Sequence, residues 1–411
     1  MKQAARLVAA LGLVAAFATV QAQGNVEYWC WTEHCAVAQA LKPSFEAQNP
    51  GHTLVITELG PWDLHDKLLI ALASNTGAPD VALLVQRRFR QYIESGRLLD
   101  VTDDFGTLEE EYPPSVWEIV TANGQIYGLP YDQNPGVLFY RRDLLEQAGV
   151  ELPIETWSEF VEIGRELTGD GRYMTWQFVP GGGWGVAFYT MFLQSRGGNV
   201  FDADGAVIRN NELAADTLCF YQSLGDIALQ TENNSPDFFV ALKEGNLLTY
   251  ANPTWGLYRV KQLAPELSGT WDAQPWPLWS EDAEPFTGAW GGNVVTIPAQ
   301  SRNPVGAKAW VEFLAASTEG QSQVWQVGGL VPAYQPTLAT DAVLQPDPFL
   351  AGTVIYEQAI ASRTLPVFNY FNWAQAETII GNHIDRMFAG DYATCGAAWN
   401  AIEAELAATF Q

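Results

Sequence analysis

Residues 26–31 (VEYWCW), 53–58 (TLVITE) and 81–85 (VALLV) are short runs of aliphatic, β-branched and aromatic residues, and each is typical of a strand. Residues 36–48 (AVAQALKPSFEAQ) and 62–74 (WDLHDKLLIALAS) lie between them and have the apolar spacing of helices. Strands that alternate with helices pair side by side in one sheet. The order β-α-β-α-β therefore predicts an α/β fold with an open, mainly parallel sheet and helices on both faces.

The same alternation continues beyond this segment. Asn123-Gly124 predicts a tight hairpin, and residues 137–140 (VLFY) predict another buried strand. Helices are predicted at 143–148 and 157–167, the second one opened by the capping residues TWSE at 156–159. No polar linker separates these elements, so the parts of the chain should be joined by short crossings.

Length and charge limit the kinds of function. The chain has 411 residues, which exceeds the roughly 250–300 residues that one hydrophobic core supports, so two lobes are expected. There are 47 acidic and 21 basic residues, and the formal net charge is −26. A surface this acidic repels nucleic acids and anionic membranes, which excludes nucleic-acid binding.

The first 22 residues read as a secretory signal peptide. Lys2 and Arg6 precede the apolar run 7–20, and small residues at Val20 and Ala22 form a cleavage site after Ala22. No later stretch is long and apolar enough to span a bilayer. We therefore expect a periplasmic protein that is not embedded in the membrane.

Export permits disulfides among the four cysteines, Cys30, Cys35, Cys219 and Cys395. A small loop closed by Cys30 and Cys35, with a second bridge between Cys219 and Cys395, is one of three possible pairings. Cys30 and Cys35 could instead bind a metal together with His34, but no second ligand cluster lies nearby in sequence. The turn FDADG at 201–205 begins like a calcium loop and lacks the rest of that pattern. No metal and no cofactor are expected.

Catalytic motifs are missing from the sequence. The four histidines are scattered, there is no G-x-S-x-G elbow and no P-loop, and GGGWG at 181–185 lacks the spacing of a dinucleotide loop. A carboxylate pair for glycoside hydrolysis remains possible among the 47 acidic residues. We interpret the chain as a non-enzyme and keep a secreted glycan-degrading enzyme as an alternative.

Tryptophans in loops are the positive signal. Several of the 16 stand beside Gly, Pro or Asn, namely Trp184, Trp255, Trp290 and Trp373. A flat indole matches the apolar face of a sugar, while nearby amides and carboxylates bind its hydroxyls. Core packing is the plainer explanation for any single Trp, but this set favours at least three in a ligand cleft.

Five short motifs occur in a characteristic order. They are APD (78–80), ANGQIYGLP (122–130), LFYRRD (138–143), GGNVVTIP (291–298) and SRN (301–303). In this order and spacing the chain resembles the extracellular solute-binding proteins of ABC importers, in the sugar-binding family that includes maltodextrin-binding protein. The resemblance runs from about Val26 to the C-terminus.

The resemblance implies a two-lobed periplasmic binding protein clamp of type II, with a hinge of crossing strands. Lobe one would comprise residues 23–132 plus 293–333, and lobe two residues 133–292 plus 334–411. The chain would cross between the lobes near 132–136, 288–293 and 331–336. Ligand would be bound in the cleft between the lobes.

The same resemblance places candidate ligand-binding residues. Trp31 and Glu33 match a sugar-binding loop after the first strand, and Trp255 matches a Trp that stacks on a sugar ring. Arg87 and Asn134 stand where maltodextrin binders have acids, which points away from maltodextrin. The full set is Trp31, Glu33, Arg87, Arg88, Asn134, Trp184, Trp255, Gly291, Gly292, Tyr334 and Trp373.

The function implied is that of the substrate-binding component of an ABC sugar importer. It would be a monomer that binds a mono- or oligosaccharide and delivers this carbohydrate to the transmembrane permease subunits. Because Arg87 and Arg88 can pair with a carboxylate or phosphate, a uronate or phosphorylated polyol is the alternative ligand.

Overall fold

The computed structural model describes residues 24–177, 183–232 and 235–410. The strands are β1 (Gly24–Cys30), β2 (His52–Glu58), β3 (Val81–Val85), β4 (Thr121–Ala122), β5 (Gln125–Ile126), β6 (Leu129–Gln133), β7 (Gly136–Arg141), β8 (Thr175–Gln177), β9 (Ala228–Gln230), β10 (Thr249–Pro253), β11 (Trp271–Pro275), β12 (Asn293–Thr296) and β13 (Val331–Pro332).

The α-helices are α1 (Thr32–Gln48), α2 (Pro61–Ser74), α3 (Phe89–Glu94), α4 (Thr102–Phe105), α5 (Pro114–Val120), α6 (Arg142–Gln147), α7 (Trp157–Leu167), α8 (Gly183–Gln194), α9 (Glu212–Ser223), α10 (Pro236–Glu244), α11 (Trp255–Leu263), α12 (Pro304–Ala315), α13 (Thr318–Gln326), α14 (Trp373–Phe388) and α15 (Cys395–Thr409). Shorter 3-10 and π-helical turns connect several of them.

Six strands form the first sheet, in the order β13-β6-β12-β3-β1-β2. The pairs β1–β2 and β1–β3 are parallel, as the β-α-β-α-β order predicts. The prediction of a mainly parallel sheet is wrong for the other half, because β12 returns from residue 293 and inserts antiparallel between β3 and β6. The local spacing of apolar residues does not report the pairing of β3 with β12, which lies about 200 residues further along the chain.

The second sheet is small and antiparallel, with the order β10-β7-β11. Helices α7, α8, α9, α14 and α15 belong to the same buried cluster and supply much of the buried apolar surface of this part of the chain. Two-stranded sheets pair β4 with β5 and β8 with β9. The first of these is the hairpin predicted at Asn123-Gly124.

Buried hydrophobic residues form two separate clusters. The first core draws its fully buried residues from 26–131 and 294–333, and the second core from 137–290, 349–406 and Val331. The molecule is a two-lobed α/β clamp, with one lobe around each core. The half-buried Trp255 packs against both cores and therefore lies where the lobes meet.

Short segments pass between the two sheets. After β6 the chain needs only Asn134 and Pro135 to reach β7. The return segment lies alongside, since the Trp290 N–H donates to the Asn134 carbonyl (3.2 Å) and the Gly136 N–H donates to the Gly288 carbonyl (2.7 Å). These two crossings are therefore hydrogen-bonded to each other.

Local sequence signals explain where the elements begin and end. Helix α7 spans Trp157–Leu167 as predicted, because the Thr156 hydroxyl accepts the Glu159 N–H (3.2 Å). Helix α1 begins at Thr32, four residues before the prediction, and its first turn has no side-chain cap that would reveal the start. The turn at 201–205 is confirmed: Asp202 Oδ1 accepts the N–H groups of Asp204 and Ala206.

Both suggested disulfides are present, Cys30–Cys35 and Cys219–Cys395. The first consumes the two thiols that the alternative metal site needs. The second joins α9 to α15 on the surface of the second core. Across the described residues, no helix is both long and apolar enough to cross a membrane.

Candidate functional site

Three strand ends of the first sheet point to the same edge. Strands β1, β3 and β6 run in one direction and end at Cys30, Val85 and Gln133, while the antiparallel β12 begins there at Asn293. Residues after the carboxyl ends of such strands commonly bind ligands. Most of the predicted site residues of the first lobe follow these ends within four positions, which brings distant parts of the sequence together.

A buried polar network lies at this edge. The amide of Asn293 donates to both carboxylate oxygens of Asp132 (3.0 Å each), and Gln86 donates to the Asp132 carbonyl (3.2 Å). Burial raises the pKa of Asp132 to about 7, although the Asn293 hydrogen bonds work in the opposite direction. Burial also lowers the pKa of His34 to about 3, so that this imidazole is neutral beside Asn293.

The first loop brings Glu33 to the network but buries Trp31. Glu33 Oε1 lies 3.5 Å from Nε2 of the neutral His34. Burial raises the pKa of Glu33, and the charge of Arg259, from the second lobe, lowers it in part. Trp31 packs edge-on against His34, with ring centres 5.1 Å apart, and is only 6% exposed. The structure therefore places Trp31 in the first core.

An ion pair spans the two lobes. Arg87 Nε donates to Oε1 of Glu377 (3.1 Å), and Arg88 Nη2 donates to Oε2 of the same carboxylate (3.0 Å). The arginines follow β3 of the first sheet, while Glu377 lies on α14, whose apolar face belongs to the second core. The Glu377 side chain is only 4% exposed. Both predicted arginines thus face a carboxylate of the protein itself.

Aromatic rings surround this ion pair. The guanidinium carbon of Arg88 lies 4.5 Å from the ring centre of Trp62, and that of Arg87 lies 5.3 Å from it. On the opposite side, Trp373 packs edge-on against Tyr370, with ring centres 5.2 Å apart. Flat apolar faces and charged donors therefore occur together, as a sugar site requires.

A cavity of about 150 Å³ lies between Arg87 and Arg88 on one side and Tyr370 and Trp373 on the other. Among the described residues, two buried donors at this cavity have no hydrogen-bond acceptor, Arg88 Nε and Trp373 Nε1. Both atoms are shielded from the cavity in this arrangement, so a bound acceptor would reach them only if these side chains move. A second cavity of about 230 Å³ shares Arg90 and Tyr370 with the first.

Trp255 forms a second aromatic contact of the second lobe. Its ring lies edge-on to Trp290, with centres 5.2 Å apart, and its Nε1 donates to the Trp290 carbonyl (3.4 Å). The guanidinium of Arg259, one helical turn further along α11, lies 5.4 Å from the Trp255 ring centre. Since Arg259 also influences Glu33, Trp255 and Glu33 belong to neighbouring surfaces.

Asn134, Gly291 and Gly292 meet at the crossing between the lobes. In the amide orientation that satisfies both groups, Asn134 accepts the Gly292 N–H (3.0 Å) and donates to the Gln133 carbonyl (2.9 Å). Gly292 has φ +87°, and a Cβ there would lie 2.5 Å from the Gln86 side-chain oxygen. In that orientation the Gly292 N–H has a partner within the protein, and Asn134, Gly291 and Gly292 stay predicted ligand-binding residues.

Two predicted residues are not brought into these contacts. Tyr334 packs against Tyr112 of the first core, with ring centres 5.7 Å apart, and its N–H donates to Gln321. The backbone of Trp184 belongs to the first turn of α8, but its side chain lies outside the described part of the structure. Both remain predictions.

Sequence reasoning missed Glu377 and Trp62. Glu377 interrupts the apolar face of α14, which places Trp373, Ala376 and Ile380 in the second core. A lone carboxylate on such a face must find a partner, and this signal could have been noticed. Trp62 directly follows Gly60-Pro61, the same kind of neighbour that marked the other tryptophans, so this signal could have found it.

A larger cavity of about 440 Å³ lies elsewhere between the lobes, where α11 faces Trp325 of α13. Its described lining includes Leu257, Tyr258 and Lys261 but none of the predicted site residues. We take the surface around Arg87, Arg88 and Trp373 as the candidate site, because charged donors, aromatic faces and unsatisfied polar atoms coincide there.

The sequence profile of the bacterial extracellular solute-binding proteins matches residues 33–321. The chain belongs to this family. Members bind solutes outside the cytoplasm, and the matched residues include both lobes of the clamp.

Relatives and solved structures agree with this membership. The protein is 26% identical over 324 residues to an arabinooligosaccharide-binding protein of Halalkalibacterium halodurans (75% of this chain, 72% of the relative). It is 26% identical over 349 residues to a lactose-binding protein of Rhizobium radiobacter (81% of each). The fold is similar to that of an ABC transporter-associated binding protein of B. animalis subsp. lactis in complex with β-1,6-galactobiose (TM-score 0.76, 20% identity, 93% of this chain and 97% of that one).

Proposed function

We propose that this solute-binding protein is the periplasmic substrate-binding component of an ABC sugar importer and binds a neutral mono- or oligosaccharide between its lobes. The observation that carries the proposal is the cavity at the inter-lobe ion pair, which is lined by Arg87 and Arg88 and by the aromatic residues Tyr370 and Trp373. The named ligands of the relatives and of the similar structure, arabinooligosaccharide, lactose and β-1,6-galactobiose, are all neutral saccharides.

The geometry supports recognition of hydroxyl groups. A sugar hydroxyl can accept from the partly exposed Arg88 guanidinium and donate to a carboxylate such as Glu33. Each such bond contributes only about 0.5–1.5 kcal/mol after exchange with water, and more with a charged partner. Stacking on Trp62 or Trp255 adds apolar burial. Several modest contacts from both lobes together give specificity without any covalent step.

An anionic ligand, a uronate or phosphorylated polyol, is the second candidate. Arg87 and Arg88 are the observation that favours it. Glu377 counts against it, because this buried carboxylate already accepts from both arginines. We therefore place the neutral saccharide first.

Ligand binding would couple to movement of the lobes. We propose the lobe boundaries given by the sequence, residues 23–132 plus 293–333 and residues 133–292 plus 334–411, with a hinge at the crossings. A ligand that contacts Arg88 and Trp373 at once stabilises the closed arrangement. The closed protein, a monomer released by cleavage after Ala22, would then dock on the permease subunits and act without catalysis of its own.

A thermal-shift screen of the chain from Gln23 onward tests the function. The panel contains arabinooligosaccharides, lactose, β-1,6-galactobiose and maltodextrins, with uronates, sugar phosphates and amino acids for comparison. A ligand at 100 times its dissociation constant adds about 2.7 kcal/mol of stability, a shift of several degrees. We expect a shift with one neutral saccharide and unchanged sugar on chromatography afterwards. Shifts with anions alone, or sugar hydrolysis that one cleft substitution abolishes, would contradict the proposal.

A further inference from the structure

We propose that Glu377 sets the charge preference of the site: it occupies the anion position of Arg87 and Arg88, so that the cleft accepts neutral saccharides and rejects those with a carboxylate. This inference rests on the proposed function and deepens it, since it assigns the exclusion of a substrate class to one residue. The sequence gives Glu377 no role of this kind.

The ion-pair geometry leaves no equivalent place for a ligand carboxylate. Each oxygen of Glu377 accepts from a different arginine, at 3.1 and 3.0 Å, which is how a bound carboxylate would use this pair of donors. Glu377 is 4% exposed and Arg87 11% exposed, so solvent screens the arrangement little. The third arginine at the cavity, Arg90, pairs with Glu94 (3.1 Å). All three cations at the cavity thus have a carboxylate of the protein as partner.

Glu377 and the two arginines lie in different lobes, so the exclusion of an anionic sugar depends on closure of the cleft. With the lobes apart, Arg87 and Arg88 could meet a carboxylate on an incoming sugar. When α14 approaches, Glu377 would face that carboxylate, and like charges at short distance in a buried site repel strongly. A hydroxyl has no such conflict, because it can donate to Glu377 while it accepts from Arg88. Only neutral sugars therefore permit closure.

Matched pairs of saccharides test this charge preference by calorimetry or thermal shift. Each pair differs only in oxidation at C6: galactose with galacturonate, glucose with glucuronate, and α-1,4-galactobiose with α-1,4-digalacturonate. For the wild type we expect the neutral member of the best-bound pair to bind at least tenfold more tightly. Glu377→Gln should shift the affinity ratio toward the uronate by tenfold or more.

Glu162→Gln is the matched control, because it removes one carboxylate from an exposed position of α7 in the same lobe. It should leave the ratio unchanged, which separates a local effect from a change in net charge. Glu377→Met places an apolar side chain of similar length on the buried helix face and serves if the Gln variant fails to fold. It is expected to shift the ratio in the same direction.

The outcomes separate the inference from the function beneath it. If both Glu377 variants bind the neutral sugar and keep the wild-type ratio within twofold, the charge preference has another origin and the inference is overturned. A wild type that prefers the uronate overturns it as well. If wild type and variants bind no saccharide of the larger panel, the proposed function itself fails, and the inference falls with it.

Discussion

Two of the buried carboxylates of this protein differ in the partners that accompany them. Asp132, at the crossing between the lobes, is fully buried and has the neutral amide of Asn293 as its partner within the same sheet. Glu377, at the inter-lobe cavity, is almost as buried and has two arginines from the other lobe. A charge whose partner lies in the same lobe is fixed by the fold, whereas a charge whose partner lies across the cleft can be separated from it.

The difference teaches where the molecule is rigid and where it can respond. A neutral partner does not compensate the burial of a charge, and the pKa of Asp132 is accordingly raised to about 7. Two cationic partners compensate the burial of the Glu377 charge, but only while the lobes are close. We therefore expect substitutions at the crossing to change the stability of the fold, and substitutions at the cavity to change binding and lobe movement.

The largest expected effect is on the pH dependence of stability at the crossing. Because the folded-state pKa of Asp132 is raised above the unfolded value, folding retains a proton that the unfolded chain has lost, and the contribution of Asp132 to stability falls as pH rises from about 4 to 7. The buried His34 and His65, whose pKa values are lowered to about 3, contribute in the opposite direction up to about pH 6.5. One such proton contributes about 1.4 kcal/mol per pH unit, or about 4 kcal/mol over the whole window. Asp132→Asn should remove this contribution, so that in urea unfolding between pH 5 and 6.5 the stability of the variant relative to wild type rises by about 1.4 kcal/mol per pH unit.

Asp143→Asn is the control for that slope. Burial acts to raise the pKa of Asp143, but the Arg141 pair lowers it overall, so its titration lies below this window. Superimposable pH profiles of wild type and Asp132→Asn would show that Asp132 titrates normally, and the comparison would then lose its basis.

The next largest effect is expected when one hydrogen-bond partner is removed from each of the two carboxylates, Asp132 and Glu377. Asn293→Ala removes both hydrogen bonds to Asp132, and we expect a loss of about 2–3 kcal/mol at pH 8, where this acid is ionised. Arg88→Gln should cost less, about 1 kcal/mol, because Arg87 remains as a charged partner of the buried Glu377. Urea unfolding of both variants at pH 8 measures the difference. Equal losses would mean that the inter-lobe pair is as fixed as the crossing.

Ligand affinity, in contrast to stability, should be more sensitive to substitutions between the lobes than to substitutions elsewhere. Trp255→Ala is expected to weaken binding of the saccharide found in the screen by about 1–3 kcal/mol, through loss of a stacking face beside Trp290 and Arg259. Trp325→Ala is a matched control, since this half-buried Trp lines the 440 Å³ cavity instead. Titration calorimetry gives both affinities. Unchanged binding by Trp255→Ala would remove that residue from the site.

The smallest expected effect is a change in the shape of the ligand-free protein. Replacement of Arg87 and Arg88 by Gln removes the ion pair that joins the lobes, and we expect the radius of gyration to rise by about 1 Å from a value near 21 Å. Arg386→Gln, which removes an ion pair within the second lobe, should leave the radius unchanged. Small-angle scattering measures both. An identical radius for all three proteins would show that other contacts hold the lobes together.

The sequence predicted local structure well and distant pairing poorly. Strand β3 and helix α7 lie at the predicted residues, because an uninterrupted apolar run and a capping box are encoded within a few positions. The insertion of β12 between β3 and β6 depends on contacts across about 160 to 210 residues, and no local pattern reports it. The same limit explains the site: Arg87 and Arg88 could be named, but their partner Glu377 lies 290 residues from Arg87.

The identity of a residue also does not show whether its side chain is buried in a core or exposed in the cleft. Trp31 and Trp255 are both predicted site residues, yet Trp31 packs against His34 in the first core while Trp255 is half-buried between the cores. An indole satisfies either environment, so only the packing around it decides. The glycines before β12 show the same ambiguity. The positive φ of Gly292 and its close approach to the Gln86 side chain are sufficient reason for a glycine there, whether or not it contacts ligand.

The Cys30–Cys35 disulfide has a consequence for ligand affinity. It joins the end of β1 to the first turn of α1, and the covalent loop from Cys30 to Cys35 includes Glu33 of that turn and Thr32 at φ +30°. A loop ordered by a covalent bond loses little further freedom when ligand arrives, so oxidation pre-organises this part of the site. Affinity would then depend on the thiol chemistry of the compartment: the same chain, kept reduced, would have every contact residue and still bind more weakly.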